Sequence, residues 1–244
     1  MAGHSKWANI KHKKGAADAK RGKLFSKLIK EVTVAAKMGG SDLASNPRLR
    51  TAVLACKAGN MTKDTIDKAI KKGAGELGDG TAYEEISYEA YGPEGSAFII
   101  EVLTDNKNRS LSNVRAIVTR NSGNMANTGA VGWNFTQKGL IIVNAEGVDE
   151  DEIMEFALEA GAEDIANEGE VYEIIVEPSN YNDVAEKFNE SSYTIEVSEI
   201  TMVPGTTVKL SGKHAEQALR LIDKLEDDDD VQKIYHNAEI EETS

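Results

Sequence analysis

The clearest pattern in the first third of the chain is helical. Leu24, Phe25, Leu28, Ile29, Val32, Ala35 and Ala36 recur at three- and four-residue intervals and predict one amphipathic helix over residues 16–37. Gly39-Gly40 ends it. Asn46-Pro47 reads as an N-cap followed by proline at the first helical position, opening a second helix that carries Leu49, Val53 and Leu54 and stops at Gly59. Thr62 caps a third helix with Ile66, Ala69 and Ile70, closing at Gly73. Three helices on short connections make a small bundle. Ahead of them, residues 1–15 hold only Trp7 and Ile10 as large apolar groups and read as an arm.

Beyond the glycine-rich stretch 73–80 the period changes from helical to mixed. Tyr83–Tyr91 alternates, with Ile86, Tyr88 and Ala90 on one face, and Tyr91-Gly-Pro-Glu-Gly95 is turn chemistry. Ala97–Leu103 is an apolar strand, Arg109–Asn121 a helix turning Leu111, Val114, Ile117 and Val118 inward, and Val131–Phe135 a further strand with Trp133 and Phe135 on the same side. Next come a strand at Leu140–Val143, a helix at Glu152–Ala160, strands at Asp164–Asn167 and Val171–Val176, a helix at Tyr181–Glu190 and a strand at Thr194–Val203. The order βαββαβ is ferredoxin-like. In the last of these strands the apolar positions switch parity, Ile195 and Val197 against Ile200 and Met202, which predicts a bulge near Ser198–Glu199.

One amphipathic helix, Lys213–Leu225, and one strand, Val231–Tyr235, remain. They cannot make a domain alone, while the unit over 81–137 lacks a second helix to cover its sheet. The economical arrangement is α+β and multi-domain. It has a basic helical domain over 1–75, a linker at 76–80, an α+β domain from 81–137 plus 204–244, and an inserted ferredoxin-like domain at 138–203.

Charge sharpens this division. The 244-residue chain carries a net charge of −13, yet residues 1–75 hold 17 basic and 5 acidic groups, a balance of +12, and the remainder 11 basic and 36 acidic, a balance of −25. A basic segment on an acidic body is the electrostatic footprint of a polyanion-binding protein. The densest basic run is Lys6, Lys11, Lys13, Lys14, Lys20, Arg21, Lys23, Lys27 and Lys30. Lys20, Lys23, Lys27 and Lys30 step by 3, 4 and 3 along the face opposite the apolar stripe. Lysine is a mobile point charge that suits phosphate contact rather than base reading. Trp7 and His12 add stacking on a base or ribose, or, for Trp7, an anchor for the arm.

Other chemistries find little support. Gly73, Gly75 and Gly78 match G-x-G-x-x-G, but a helix precedes them where a dinucleotide site needs a strand, so the stretch reads as a hinge. Gly15–Lys23 lacks P-loop spacing. Lone Cys56, on a helix beside apolar residues, reads as a small buried hydrophobe, and the acidic run Glu226–Asp230 as a solvated turn rather than a metal site. No apolar run approaches the ~20 residues of a membrane helix and the N-terminus lacks a signal-peptide core, so a cytoplasmic protein is expected. No enzyme activity, cofactor, metal, small-molecule substrate or membrane partner is expected.

Several motifs, in order, carry a resemblance. They are Ala2-Gly-His-Ser-Lys-Trp-Ala-Asn-Ile-Lys-His-Lys-Lys14, Asp18-Ala-Lys-Arg-Gly-Lys23, Asn46-Pro-Arg-Leu-Arg50, Tyr88-Glu-Ala-Tyr-Gly-Pro-Glu-Gly95, Thr104-Asp-Asn-Lys-Asn-Arg109 and Asp229-Asp-Val-Gln-Lys-Ile-Tyr-His-Asn237. Together they resemble the YebC/PmpR-type family over essentially the whole chain. The resemblance implies an N-terminal helical domain followed by two α+β domains, one inserted in the other, and a non-enzymatic function. Bacterial members are described as DNA-binding transcriptional regulators, some as ribosome-associated factors, and mitochondrial relatives as translational activators. One departure stands at 123–135, where Asn124, Ala126 and Ala130 replace the family's Gly, Gly and Ser. The target is therefore DNA or a structured RNA such as the ribosome. A metal-dependent nuclease is the remote alternative, since the acids lie away from the basic segment.

Overall fold

The structure is a computed structural model that describes residues 21–77 and 83–240. Helices α1 (Arg21–Gly39), α2 (Pro47–Ala58) and α3 (Lys63–Gly73) pack around Val32, Ala35, Ala36, Leu49, Val53, Cys56 and Ile66. Their ends follow from local chemistry. Gly40, with φ of +86°, terminates α1 in the left-handed region that glycine enters without a Cβ penalty. The Asn46 carboxamide accepts the Leu49 N–H at 3.0 Å as the cap of α2, and its Nδ2 donates to the carbonyls of Ala35 and Gly40, both at 2.8 Å. One buried side chain thus satisfies the end of one helix and the start of the next. Gly73, the first glycine of the dinucleotide-like match, is a packing residue: a Cβ there would sit 2.1 Å from the Thr33 carbonyl oxygen of α1. Gly78 and Gly80 lie outside the described residues, as do residues 16–20 of the expected first helix.

Two apolar positions assigned to this bundle's core depart from expectation. Leu24 is 49% exposed and Leu54 59% exposed, so neither belongs to the core assigned to it. Leu24 sits at the edge of its stripe, and Leu54 lies on the side of α2 away from buried Leu49, Ala52, Val53 and Cys56.

The body holds two four-stranded antiparallel sheets. In the first, β1 (Glu84–Tyr91), β2 (Ala97–Thr104), β3 (Asn124–Ala126) and β9 (Val231–His236) lie in the order β3-β1-β2-β9. Helices α4 (Lys107–Arg120) and α7 (Gly212–Glu226) cover one face through Val114, Val118, Ala218, Leu221, Ile222 and Leu225. The terminal strand β9 pairs with β2, so the end of the chain returns to the first sheet. A short parallel pair, β8 (Val208–Leu210) with β10 (Ala238–Ile240), completes the same core.

The second sheet, β5-β6-β4-β7, is inserted between these parts. It consists of β4 (Phe135–Asn144), β5 (Asp164–Asn167), β6 (Val171–Val176) and β7 (Ile195–Pro204), with α5 (Glu150–Ala160) and α6 (Tyr181–Glu190) on one face. That is the ferredoxin-like arrangement. The bulge in β7 is present but falls earlier than expected: Val143 pairs with Ile195 and Ile142 with Val197, leaving Glu196 as the extra residue. Ile195 consequently faces the helices and Val197 the opposite side of the sheet.

The expected strand at Val131–Phe135 is a 3-10 turn over Gly132–Asn134, and β4 begins only at Phe135. Val131 and Phe135 pack with Ala97 and Ile99 of the first sheet and Met202 of the second, joining the two units.

Candidate nucleic-acid interface

The basic face of α1 lies against the far end of the chain. The Lys27 ammonium donates to the Glu226 carbonyl at 2.6 Å, Lys23 to the Asp227 carbonyl at 2.9 Å, and Lys30 to the Asp229 carbonyl at 2.8 Å. These oxygens belong to the last residue of α7 and to the turn after it, where helical carbonyls lose their intrahelical partners and the macrodipole is negative. Lys23 also approaches the Asp227 carboxylate at 3.7 Å, and Lys30 pairs with Asp230 at 2.8 Å. The three- and four-residue spacing that sets the lysines on one face of α1 also lets them grip one helix end. The side of α1 opposite its apolar stripe, read above as suited to phosphate contact, lies on the protein's own acidic turn.

That turn is not simply solvated either. Asp230 is 3% exposed. Its carboxylate accepts hydrogen bonds from Lys30, from Thr104 Oγ1 at 3.0 Å and from Arg109 Nη2 at 2.9 Å, and Arg109 also reaches Asp105 at 2.7 Å. Burial pushes the Asp230 carboxyl up, but the hydrogen bonds and charge of Lys30 and Arg109 outweigh it, and the group is held below its ordinary value. Arg109 is raised by the same pairing, with Asp230 and then Asp105. At Lys27, burial at the joint lowers the ammonium despite opposition from Glu226 and the neighbouring aspartates. A second bridge joins the bundle to the body. Arg48 of α2 holds Glu31 of α1 in a two-point pair at 2.7 and 3.0 Å and also contacts Glu85 of β1.

Beside the lysine joint opens a cleft of about 580 Å³ lined by Ser26, Lys30, Tyr83, Asp105, Arg109, Asn113 and Asp227–Asp230. Among the described residues no group of three or more His, Cys, Asp or Glu is placed to hold a metal ion. Cys56 is fully buried in the bundle, and burial raises its thiol.

Of the other residues singled out for nucleic acid, Lys6, Trp7, Lys11, His12, Lys13, Lys14 and Lys20 lie outside the described residues, and Arg21 opens α1. A set of cations missed in the sequence lies elsewhere on the bundle. Lys37, Lys57, Lys63, Lys68 and Lys71 are exposed and form no ion pair among the described residues. Lys71 stands in the last turn of α3, where a cation also suits the negative helix end.

The departed loop is tightly built. Glu89 of β1 accepts the backbone N–H groups of Gly129 and Val131, both at 2.6 Å, and of Gly132 at 3.0 Å. Burial raises the Glu89 carboxyl, and these N–H groups more than reverse it. The Ala130 carbonyl accepts from Trp133 Nε1 at 2.9 Å and from Tyr91 Oη at 3.2 Å, so the indole is fixed while 75% exposed. The Ala130 carbonyl is a main-chain group, so this scaffold does not depend on the serine it replaces.

Comparison with known proteins agrees with this architecture. Residues 5–76 match the model of the TACO1/YebC protein N-terminal domain, and residues 83–238 that of the TACO1/YebC second and third domain. A probable transcriptional regulatory protein of Desulforapulum autotrophicum is 56% identical over 98% of this chain and 97% of its own length. One of Geobacter sulfurreducens is 55% identical over 98% of this chain and 96% of its own. The crystal structure of a conserved hypothetical protein from Aquifex aeolicus superposes with a TM-score of 0.79 at 44% identity, covering 93% of each chain. Among the described residues, no helix is long and apolar enough to cross a membrane. Sequence matches over both regions, and a superposition that spans helical bundle and body alike, place this chain in the TACO1/YebC family.

Proposed function

We propose that this protein is a regulator of gene expression that binds nucleic acid through the phosphate backbone, using its basic N-terminal domain and no chemistry of its own. The carrying observation is the segregation of charge, +12 up to residue 75 against −25 beyond it. Relatives named probable transcriptional regulatory proteins support the reading. Positive charge attracts any polyanion over a Debye length, and the acidic body limits indiscriminate coating. The exposed cations of the bundle, Lys57, Lys63, Lys68 and Lys71 among them, supply phosphate contacts without reading base edges. Selectivity on this reading comes from the shape of the target, which favours a large folded RNA such as the ribosome alongside the DNA regulator implied by the relatives' names.

The test is binding at about 150 mM salt to promoter duplex, random duplex and ribosomal subunits, followed across a salt series. Changing Lys57, Lys63, Lys68 and Lys71 together to Gln removes about 3–4 units from the log–log salt slope if each meets a phosphate of duplex DNA. An unchanged slope would move the interface off this surface. Absence of binding to all three targets would overturn the reading.

A further inference from the structure

The lysine joint unites two properties that are rarely found together. Its cations have the spacing of a phosphate-binding face, and its acceptors are a compact row of hard oxygens with a concentrated negative charge. The Glu226, Asp227 and Asp229 carbonyls and the Asp230 carboxylate sit 2.6–2.9 Å from three ammonium groups on successive turns of α1. A phosphodiester backbone would offer the same lysines the same kind of acceptor. Resting on the nucleic-acid reading above, we propose that the Glu226–Asp230 turn occupies the Lys23–Lys27–Lys30 face in place of phosphate, so that closing this joint and binding nucleic acid there exclude each other.

Three features make the joint releasable. First, Asp230 keeps Thr104 and Arg109 as partners when Lys30 leaves, so opening strands no buried carboxylate. Second, the turn is shaped from within the body, since the Asp228 carboxylate accepts the Asp230 N–H at 2.9 Å. It therefore needs no help from α1 to persist. Third, Lys23 and Asp227 remain partly open to solvent, with 47% and 35% of their side-chain surface exposed, so salt and a competing polyanion reach the outer end of the contact first. The adjoining cleft provides room beside Lys30 for that approach. Lys27, whose ammonium is desolvated by burial at the joint, recovers its hydration on opening.

The mutual exclusion is testable on the full chain. Asp227→Asn, Asp228→Asn and Asp229→Asn together remove the competing charge and keep the Asp230 scaffold. A control with Glu155→Gln, Glu159→Gln and Glu186→Gln makes the same change in net charge on the inserted domain. Spin labels at Leu54→Cys and Lys213→Cys report the bundle-to-body distance, Cys56 being buried. The probes are a promoter duplex, a 20-bp random duplex and ribosomal subunits.

The Asn variant should bind at least one probe about tenfold more tightly than the control, and the wild-type distance distribution should broaden as that probe saturates. Binding by the Asn variant alone supports the proposal too, since wild type is then held closed. Saturable wild-type binding with an unchanged distance and equal affinities of Asn variant and control overturns the exclusion and leaves the nucleic-acid reading standing. Absence of binding by wild type and Asn variant alike overturns both.

Discussion

Asp230 shows how one side chain organises a joint. It is buried, yet it serves Lys30 from the bundle, Arg109 from α4 and Thr104 from β2. A carboxylate held below its ordinary value in the folded state contributes stability that is fully present above the unfolded pKa near 4 and is lost as pH falls through the folded one. Asp230→Asn should therefore destabilise the protein by about 2 kcal/mol at pH 7, in line with loss of charge-assisted hydrogen bonds. The gap to wild type should narrow as pH drops below about 4. Urea unfolding of the two proteins between pH 7 and 3 checks this, and a gap independent of pH would assign the effect to packing. Neither the depth of Asp230 nor its partners was legible in the sequence. It stands in a run of acids that reads as a solvated turn, and Lys30 is 200 residues away. The only trace was that Thr104–Arg109 and Asp229–Asn237 both belong to motifs carrying the family resemblance, and the fold brings these two motifs together.

Among the elements, the helices were the most legible. An apolar stripe repeated over several turns averages out single exceptions such as Leu24 and Leu54, and polar caps mark the ends. Asn46 is the strongest of those caps, because it also collects two carbonyls from the end of α1. Asn46→Ala should cost about 2–3 kcal/mol, more than an isolated cap, because it also removes the donor to the buried Ala35 carbonyl of α1 and to the Gly40 carbonyl just after it. The check is a thermal or chemical melt of the bundle, and a loss under 0.5 kcal/mol would mean that water replaces the carboxamide at roughly no cost. Thr62, expected as a cap of α3, makes no such bond to the helix; its hydroxyl pairs with Thr65 at 2.9 Å. Short strands were the least legible. β3, β8 and β10 each hold three residues, too few to show a period of two, and they exist because longer neighbours offer edges to pair with. The Val131–Phe135 segment looked like a strand because apolar residues alternate there, yet the Glu89 carboxylate draws its first two backbone N–H groups, those of Val131 and Gly132, into a turn. Alternation reports which side chains are apolar, and it does not report where the backbone N–H groups are spent.

At the scale of the whole molecule, Lys23, Lys27 and Lys30 share one face of α1, and the turn after α7 covers that face. A stripe's spacing is local, whereas its partner is set by topology. Topology also predicts what truncation does. β9 and α7 supply an edge strand and much of the core of the first sheet, including Leu221, Ile222, Leu225 and Val231. A chain ending at residue 204 should lose cooperative unfolding of the first sheet while the strands over 135–204 keep their own core around Ile141, Ile174 and Phe188. Amide hydrogen exchange resolves the two: protection in β6 with none in β2 is the expected result, and full protection of both would place the sheet's stability elsewhere.

The return of β9 to β2 also orders events in time. The pairing of Phe98 with His236 joins positions 138 residues apart, while the strands and helices of the inserted domain lie between residues 135 and 204. As the chain leaves the ribosome, the inserted domain has all its parts before the host sheet has its edge, so the guest can fold inside an unfinished host. The half-made sheet spends that interval with β2 uncovered along the side that β9 will take, an open edge on an apolar strand of the kind that invites pairing with other chains. Synthesis of the last forty or so residues is thus the step that closes the edge, and a pause just before it should favour aggregation more than a pause of equal length inside the inserted domain.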